Sequence, residues 1–267
     1  MTPSSIAPAT STFDRVLVGV DGTEPAYEAC RQARALAAPG AALEAVAVVH
    51  LSDAIQVGLE AQRAVDVLRE EGETALAEAG RILGDRAGTR FLNGFVTAAL
   101  LREIDAFEAT VLAIGSHGHR RLTEIMLGGV AGEMLHSAPC SVLLARRSAG
   151  GDPFPARIVV GVDGSECSQI ALAAAEALAR RLSVPVEAVV ATQGREVDLD
   201  AVRRLAPAAR EIVAHPAVGL VEAAAGAGLL VVGSRGLHGI RALGSVSERV
   251  AHRAPCSVLV VRGGAAA

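Results

Sequence analysis

The sequence predicts an α/β fold made of two tandem five-stranded parallel-sheet sandwiches of strand order 3-2-1-4-5, the second one shortened. Three observations carry that expectation. Phe13-Asp-Arg-Val-Leu-Val-Gly-Val-Asp-Gly-Thr23 returns as Pro155-Ala-Arg-Ile-Val-Val-Gly-Val-Asp-Gly-Ser165. Gly115-Ser-His-Gly118 returns as Gly233-Ser-Arg-Gly236, and Ala138-Pro-Cys-Ser-Val142 as Ala254-Pro-Cys-Ser-Val258. In both halves short β-branched runs alternate with helical periodicity, which is the pattern of βαβ units and a parallel sheet. Motifs repeated in one order mean one unit used twice. The 267 residues then divide into a flexible tail (1–12), a first lobe (13–146), a linker carrying Gly-Gly-Asp-Pro (147–155), a second lobe (156–262) and a second tail (263–267).

Each half opens with an apolar run, 16–20 and 158–162, of the kind that fits a strand covered on both faces. Asp-Gly-Thr and Asp-Gly-Ser stop the strand, with Thr23 and Ser165 as candidate helix caps. Helices are expected over about 25–38 and 168–182, and second strands over 43–51 and 186–191. The first half then carries a long helical pattern at about 54–83, the second only a stub near 198–209. Fourth strands follow at 111–114 and 229–232, and fifth strands at 141–144 and 257–261. Right-handed crossovers place helices on both faces of such a sheet. From Asp21 to Gly115 is 94 positions and from Asp163 to Gly233 is 70, so the second half is 24 shorter, between its second and fourth strands.

Composition excludes several classes. Net charge is −4 with acids and bases mixed, so no basic stripe exists for nucleic acid. No apolar run approaches 18 residues, so no membrane span is expected. The first residues lack a basic region and an apolar core, which argues against a signal peptide. The chain has no lysine, which removes a P-loop lysine and Schiff-base chemistry. Aromatics are 2% with no tryptophan, so surfaces for stacking bases are scarce. Cys30, Cys140, Cys167 and Cys256 show no metal spacing. Cys140 and Cys256 occupy equivalent places and read as reduced, half-buried core thiols, which points to the cytoplasm.

In doubly wound sheets ligands sit at the carboxyl ends of the strands, where the winding reverses. Asp21 and Gly115 end the first and fourth strands of one half, Asp163 and Gly233 those of the other. With nine residues intervening, Gly118 is followed by Gly128, Gly129 and Val130, at the start of a helical pattern. With seven intervening, Gly236 is followed by Gly244, Ser245, Val246 and Ser247. Glycines let a backbone approach a phosphate closely, and the amides of a helix start donate to it with a favourable dipole. The serine hydroxyls are further candidate donors, and the aspartates suit a ribose hydroxyl or a magnesium ion travelling with the phosphates. A tight strand-to-helix turn explains glycines equally well at this stage. His117 and His119 read as solvated loop residues, as a donor beside phosphate, or as a metal pair lacking a third ligand. Arg235 reads as a phosphate contact or a surface side chain, and Arg120 and Arg121 as a solvated turn. Ser116 and Ser234 lack the G-x-S-x-G frame of a nucleophile elbow.

At these residues the chain resembles a tandem universal stress protein. The family's nucleotide signature is G-x2-G-x9-G-[S/T]. The first half keeps the spacing with Gly115, Gly118 and Gly128 but has Gly129 at the hydroxyl position; the second keeps Ser245 but has seven residues in place of nine. The openings Gly-Val-Asp-Gly-[Ser/Thr] and the closings Ala-Pro-Cys-Ser-Val-Leu are also family-like. The resemblance covers roughly 13–146 and 156–262. It implies an ATP-binding α/β sandwich, with magnesium as a candidate companion, whose lobes pair through their fifth strands. It implies ribose or metal contacts at Asp21 and Asp163, each preceded by a crevice-floor valine, Val20 or Val162. Adenine contacts map to the main chain at Leu51 and Thr192. Phosphate contacts map to Gly115, Gly118, Gly128, Gly129 and Val130, and to Gly233, Gly236, Gly244, Ser245, Val246 and Ser247.

The expectation is therefore a cytoplasmic, stress-associated sensor or regulatory module that binds ATP or a related adenine nucleotide, with no catalytic residue and at most slow hydrolysis. Its partners would be the nucleotide and, through the fifth strands, a second copy of the chain. Two rivals remain. One is a scaffold of the same fold that binds no nucleotide. The other is an adenylating or nucleotidyl-transfer enzyme, whose S-G-G-x-D-S or H-x-G-H elements are absent.

Overall fold

The computed structural model describes residues 13–50, 59–116, 127–147, 154–194, 197–234 and 244–263, without the side chains of 59–62 and 64. The first half runs β1 (Arg15–Val20), α1 (Glu24–Leu36), β2 (Ala42–Val49), α2 (Leu59–Leu83), β3 (Gly88–Asn93), α3 (Val96–Phe107), β4 (Val111–Gly115), α4 (Gly129–Ser137) and β5 (Ser141–Ala145). The second runs β6 (Ile158–Gly161), α5 (Glu166–Leu182), β7 (Val186–Ala191), α6 (Leu199–Leu205), β8 (Arg210–Ile212), α7 (Pro216–Ala223), β9 (Leu229–Ser234), α8 (Ser245–Arg253) and β10 (Ser257–Arg262). The shortening falls where the spacing places it. A seven-residue α6 and a three-residue β8 stand where the first half has a 25-residue α2 and a six-residue β3.

All ten strands form one sheet of order β3-β2-β1-β4-β5-β10-β9-β6-β7-β8. Each half is parallel and has the expected 3-2-1-4-5 order. The two halves meet at β5 and β10, which pair antiparallel with Val258 opposite Leu144 and Val260 opposite Val142. Every residue of both strands is buried. Alternation along the strands sorts their side chains onto two continuous cores. One holds Val16, Val18, Leu143 and Leu259 against α1, α2 and α5; the other holds Leu17, Val142, Leu144 and Val260 against α3, α4, α7 and α8. Both cores run through the junction without a break. Both edges of β5 and of β10 are occupied within the chain. A homodimer through the fifth strands, the sequence-based expectation, therefore has no free strand edge to use.

Three arginines cross the junction, and each caps the carbonyl end of a helix in the other half. Arg146, just past β5, donates to Ala251 O of α8 at 2.5 Å and to Cys256 O at 3.4 Å. Arg262, ending β10, donates to Leu135 O of α4, and Arg181 of α5 donates to Leu36 O of α1. Cationic donors at helix C-termini satisfy carbonyls that have no intrahelical partner and complement the dipole. Two serines lock the same register: the Arg146 amide donates to Ser257 Oγ at 2.9 Å and the Arg262 amide to Ser141 Oγ at 3.2 Å. Burial lowers the pKa of both Arg146 and Arg262.

All four cysteines are free, and Cys30, Cys140 and Cys256 are buried outright rather than half-buried. Burial pushes the Cys30 thiol up to about 12 and those of Cys140 and Cys256 up to about 11. Such thiols carry little thiolate and are inert.

A second buried titratable cluster lies towards the amino end of β2 in the first half of the sheet. Arg90 sits 3.5 Å from Glu44 and 3.4 Å from Glu103, and both carboxyl side chains are nearly covered. Burial raises the Glu44 carboxyl above its usual value; Arg90 offsets part of this and Glu103 adds to it. The folded state therefore holds this proton more tightly than the unfolded chain does. The stabilisation is complete below the ordinary carboxylate range and is lost as pH rises through the raised folded value. Glu44→Gln should melt higher than the wild type at pH 7, with the difference closing towards pH 4.5, in paired thermal melts across that range. A gap that widens on acidification would contradict the assignment.

Candidate functional site

The crevice is set by two close approaches. A Cβ added to Gly115, at the end of β4, would stand 2.9 Å from the carbonyl carbon and Cβ of Pro25 and 3.1 Å from the Ala26 nitrogen. At Gly233 the equivalent atom would stand 2.2 Å from the carbonyl oxygen of Cys167. So the end of the fourth strand in each half lies directly against the first turn of the helix that follows strand one. Packing alone requires glycine at these two positions.

The next glycines differ. Gly128 and Gly244 are the N-caps of α4 and α8, with φ of −63° and −68°, a conformation open to any residue. A Cβ on Gly129 would meet nothing within 4 Å, and one on Gly244 only Ser247 Oγ at 3.8 Å. Backbone strain explains none of these glycines, and internal packing explains neither Gly129 nor Gly244. The excursion that leaves β4 is closed by the Gly128 amide donating to Ser116 O at 2.9 Å. This pins the start of α4 beside the end of β4. Gly129 and Val130 are exposed at that start, where amides have no intrahelical acceptor. A helix start with open amides and bare glycines can hold an anion without any ammonium group.

Opposite stand the aspartate turns. Asp21 Oδ1 accepts from the Thr23 amide at 3.1 Å and from its hydroxyl at 2.5 Å. Asp163 Oδ1 does the same with Ser165, at 3.1 and 2.5 Å. Ser165 also accepts from the Ser168 amide at 3.3 Å and so caps α5, whereas Thr23 makes no side-chain cap on α1. Its hydroxyl is turned to Asp21 instead. Gly22 and Gly164, next in each turn, have φ of +79° and +80°, which is why glycine is needed there. Val20 and Val162 are buried beneath the aspartates.

The halves diverge in what they leave available. The Ser247 hydroxyl, read from sequence as a candidate donor, is buried and donates inward to Gly233 O at 2.9 Å; Ser245 is exposed and Val246 half-buried. Thr192 gives both its amide, at 3.0 Å, and its hydroxyl, at 3.3 Å, to Ile212 O. The shortened second half draws α6 onto its aspartate turn: a Cβ on Gly164 would stand 2.9 Å from Ala201 Cβ, whereas one on Gly22 meets only Ala75 Cβ at 3.8 Å. An open hollow of about 610 Å³ beside α6 is lined by Val197, Asp198, Leu199 and Asp200, whose acids have the wrong sign for a polyphosphate. Leu51, Gly118 and Gly236, with His117, His119, Arg120, Arg121 and Arg235, lie outside the described residues. No group of three His, Cys, Asp or Glu able to hold a metal unaided exists among the described residues.

Sequence reasoning passed over one pair. His50, just past β2, and Phe95, just past β3, bring their ring centroids to 4.3 Å at an interplanar angle of 31°. The signal was present: Phe95 follows Gly94 at the N-cap of α3, where a small polar residue serves a helix best.

A model described as the universal stress protein family matches residues 12–146 and 190–262. A universal stress protein of Mycobacterium tuberculosis is 32% identical, across 92% of this chain and 96% of the relative. The chain belongs to the universal stress protein family. A relative from Mycolicibacterium smegmatis is 27% identical over the same shares of both chains. The crystal structure of a universal stress protein from Archaeoglobus fulgidus superposes with a TM-score of 0.71 at 20% identity, covering 96% of this chain and 99% of that one. A functionally unknown protein from Pseudomonas aeruginosa gives 0.69 at 15%, covering 97% and 95%. These two show the fold. The stretch between the matched segments holds β6, α5 and most of β7, so this universal stress protein has a full set of five strands in its second half too.

Glycine-to-alanine changes separate packing from ligand space. Gly233→Ala and Gly115→Ala should each lower stability by about 1–3 kcal/mol or more, because the obstacle is backbone. Gly129→Ala, at an open helix start, should leave the melting temperature unchanged or raise it, by at most about 1 kcal/mol. Thermal melts without ligand check all three; a Gly129→Ala variant as unstable as Gly233→Ala would refute the distinction.

Proposed function

We propose that this universal stress protein is an adenine-nucleotide-binding sensor or regulatory module that holds ATP in the crevice between β1 and β4. The observation that carries the reading is Gly129 in the first turn of α4, which neither backbone conformation nor internal packing explains. A phosphate drawn onto the α4 amides does explain it. Gly129 and Val130 supply the donors, while the Gly128 amide is spent on Ser116 O and holds the helix start in place. Asp21, exposed at the tip of its turn, faces the ribose or a magnesium ion. One carboxylate suits magnesium only if phosphate oxygens and water complete the octahedron, so the metal would arrive with the triphosphate. The main chain at Leu51 meets the adenine.

We place the principal site in the first half. The second keeps Asp163, Gly244 and Ser245, but its Ser247 hydroxyl and Thr192 amide are committed inside the fold, and α6 crowds its aspartate turn. The functional units are 13–146 and 156–262, paired within one chain through β5 and β10; association of two chains would use another surface. Four free cysteines suit the reducing cytoplasm. We assign no catalytic residue.

A fluorescent-dye melt with ATP and magnesium tests the reading. If ATP is present at about 100 times its Kd, the fold gains about 2.7 kcal/mol, a plain rise in melting temperature. Gly129→Ala should remove most of that rise and keep the ligand-free melt. No shift at millimolar ATP would favour the scaffold alternative.

A further inference from the structure

We infer that Phe95, backed by His50, is the stacking wall that holds the purine ring of the nucleotide in the first-half crevice. The inference rests on the nucleotide reading above and adds to it the residue that selects the base.

Aromatic side chains are few here: five phenylalanines, one tyrosine and no tryptophan. Phe13 is buried, and Phe91, Phe107 and Phe154 are half-buried against the cores or the sheet edge. Phe95 alone among the described phenylalanines is spent on solvent, at 72% exposure. It also stands where it serves the helix poorly. As the N-cap of α3 it makes no side-chain cap, and a serine, threonine, aspartate or asparagine there would bond a free amide. The second half repeats the choice. His215 is the N-cap of α7, again with no side-chain cap. Its ring lies so close to Gly194 that a Cβ there would stand 2.3 Å from it. Both halves therefore place a flat ring at the start of the helix that follows the third strand.

The position is on the ligand side of the sheet. Gly94 donates to Val49 O at 3.0 Å, which fixes the turn carrying Phe95 against the end of β2. Val20 pairs with Ala47, so His50 stands one strand over from Asp21 and two residues further along, about 8 Å away at ordinary strand spacing and rise. The His50 ring covers part of Phe95, and its high exposure leaves the rest of the ring open. An open aromatic face backed by a second ring, beside a ribose-facing aspartate, is what a nucleobase stacks on. A purine covers more of such a ring than a pyrimidine does, so the order of affinity should be ATP above CTP above tripolyphosphate, which has no base at all.

The test uses the full chain with Phe95→Ala and Phe95→Trp, titrated with ATP, CTP and tripolyphosphate. Phe95→Ala should weaken ATP about tenfold and leave tripolyphosphate unchanged. Phe95→Trp should keep the wild-type affinity, and its indole, single in a chain with no natural tryptophan, should be quenched as ATP binds. Because Phe95 is exposed, both variants should melt with the wild type; if the alanine variant does not, the tryptophan variant alone decides. Wild-type ATP affinity in Phe95→Ala, or an indole indifferent to ATP in a chain that still binds it, would overturn the stacking wall and leave nucleotide binding standing. A wild type that binds no ATP would overturn both.

Discussion

The structure depends on two contacts that admit no Cβ. Gly115 lies against Pro25 and Ala26, and Gly233 against Cys167, so the fourth strand of each half ends flush with the helix that follows its first strand. That contact brings the aspartate turn and the start of the helix after the fourth strand to opposite sides of one crevice. A larger residue would push the helix off the sheet and open the crevice. Helix start and aspartate turn are both arranged around these two points.

The junction is the second constraint. β5 and β10 are buried throughout and pair antiparallel, so a seam that would otherwise be an apolar edge becomes the middle of a ten-stranded sheet. Exposed, such an edge would invite aggregation. The arginines give the seam its specificity. Arg146 reaches from beside the first crevice to the last turn of α8, and Arg262 from beside the second to the last turn of α4. Each guanidinium is desolvated and answers carbonyls rather than a carboxylate. Arg262 leaves Nε and Nη1 with no partner among the described residues, and an unmet buried donor is costly. The apolar burial supplies the stability of the pairing, and the polar contacts fix its register.

Much of this was legible in the sequence. The repeat gave two units, β-branched runs gave the strands, and the 24-position deficit marked the reduced α6 and β8. The crevice followed, because the ends of the first and fourth strands must meet at the switch point. What the sequence could not show was direction. Gly115 and Gly129 read alike as phosphate-facing glycines, yet one faces packed backbone and the other open space. Ser247 and Ser245 read alike as hydroxyl donors, yet one is turned inward to Gly233. Thr23 has the chemistry of a cap but spends its hydroxyl on Asp21. Spacing tells which residues share a neighbourhood; only three-dimensional packing tells which side of each is already filled. Phe95 was missed for the opposite reason: low aromatic content argued against stacking surfaces, although one exposed ring placed at a crevice is enough.

The central claim is that main-chain amides at the start of α4 hold a polyphosphate without help from lysine. Crystals grown or soaked with excess ATP and magnesium test it most directly. The account predicts difference density for a triphosphate within hydrogen-bond reach of the Gly129 and Val130 nitrogens, with the ribose towards Asp21. A crevice left empty at saturating nucleotide, or ATP bound elsewhere on the chain, would contradict it.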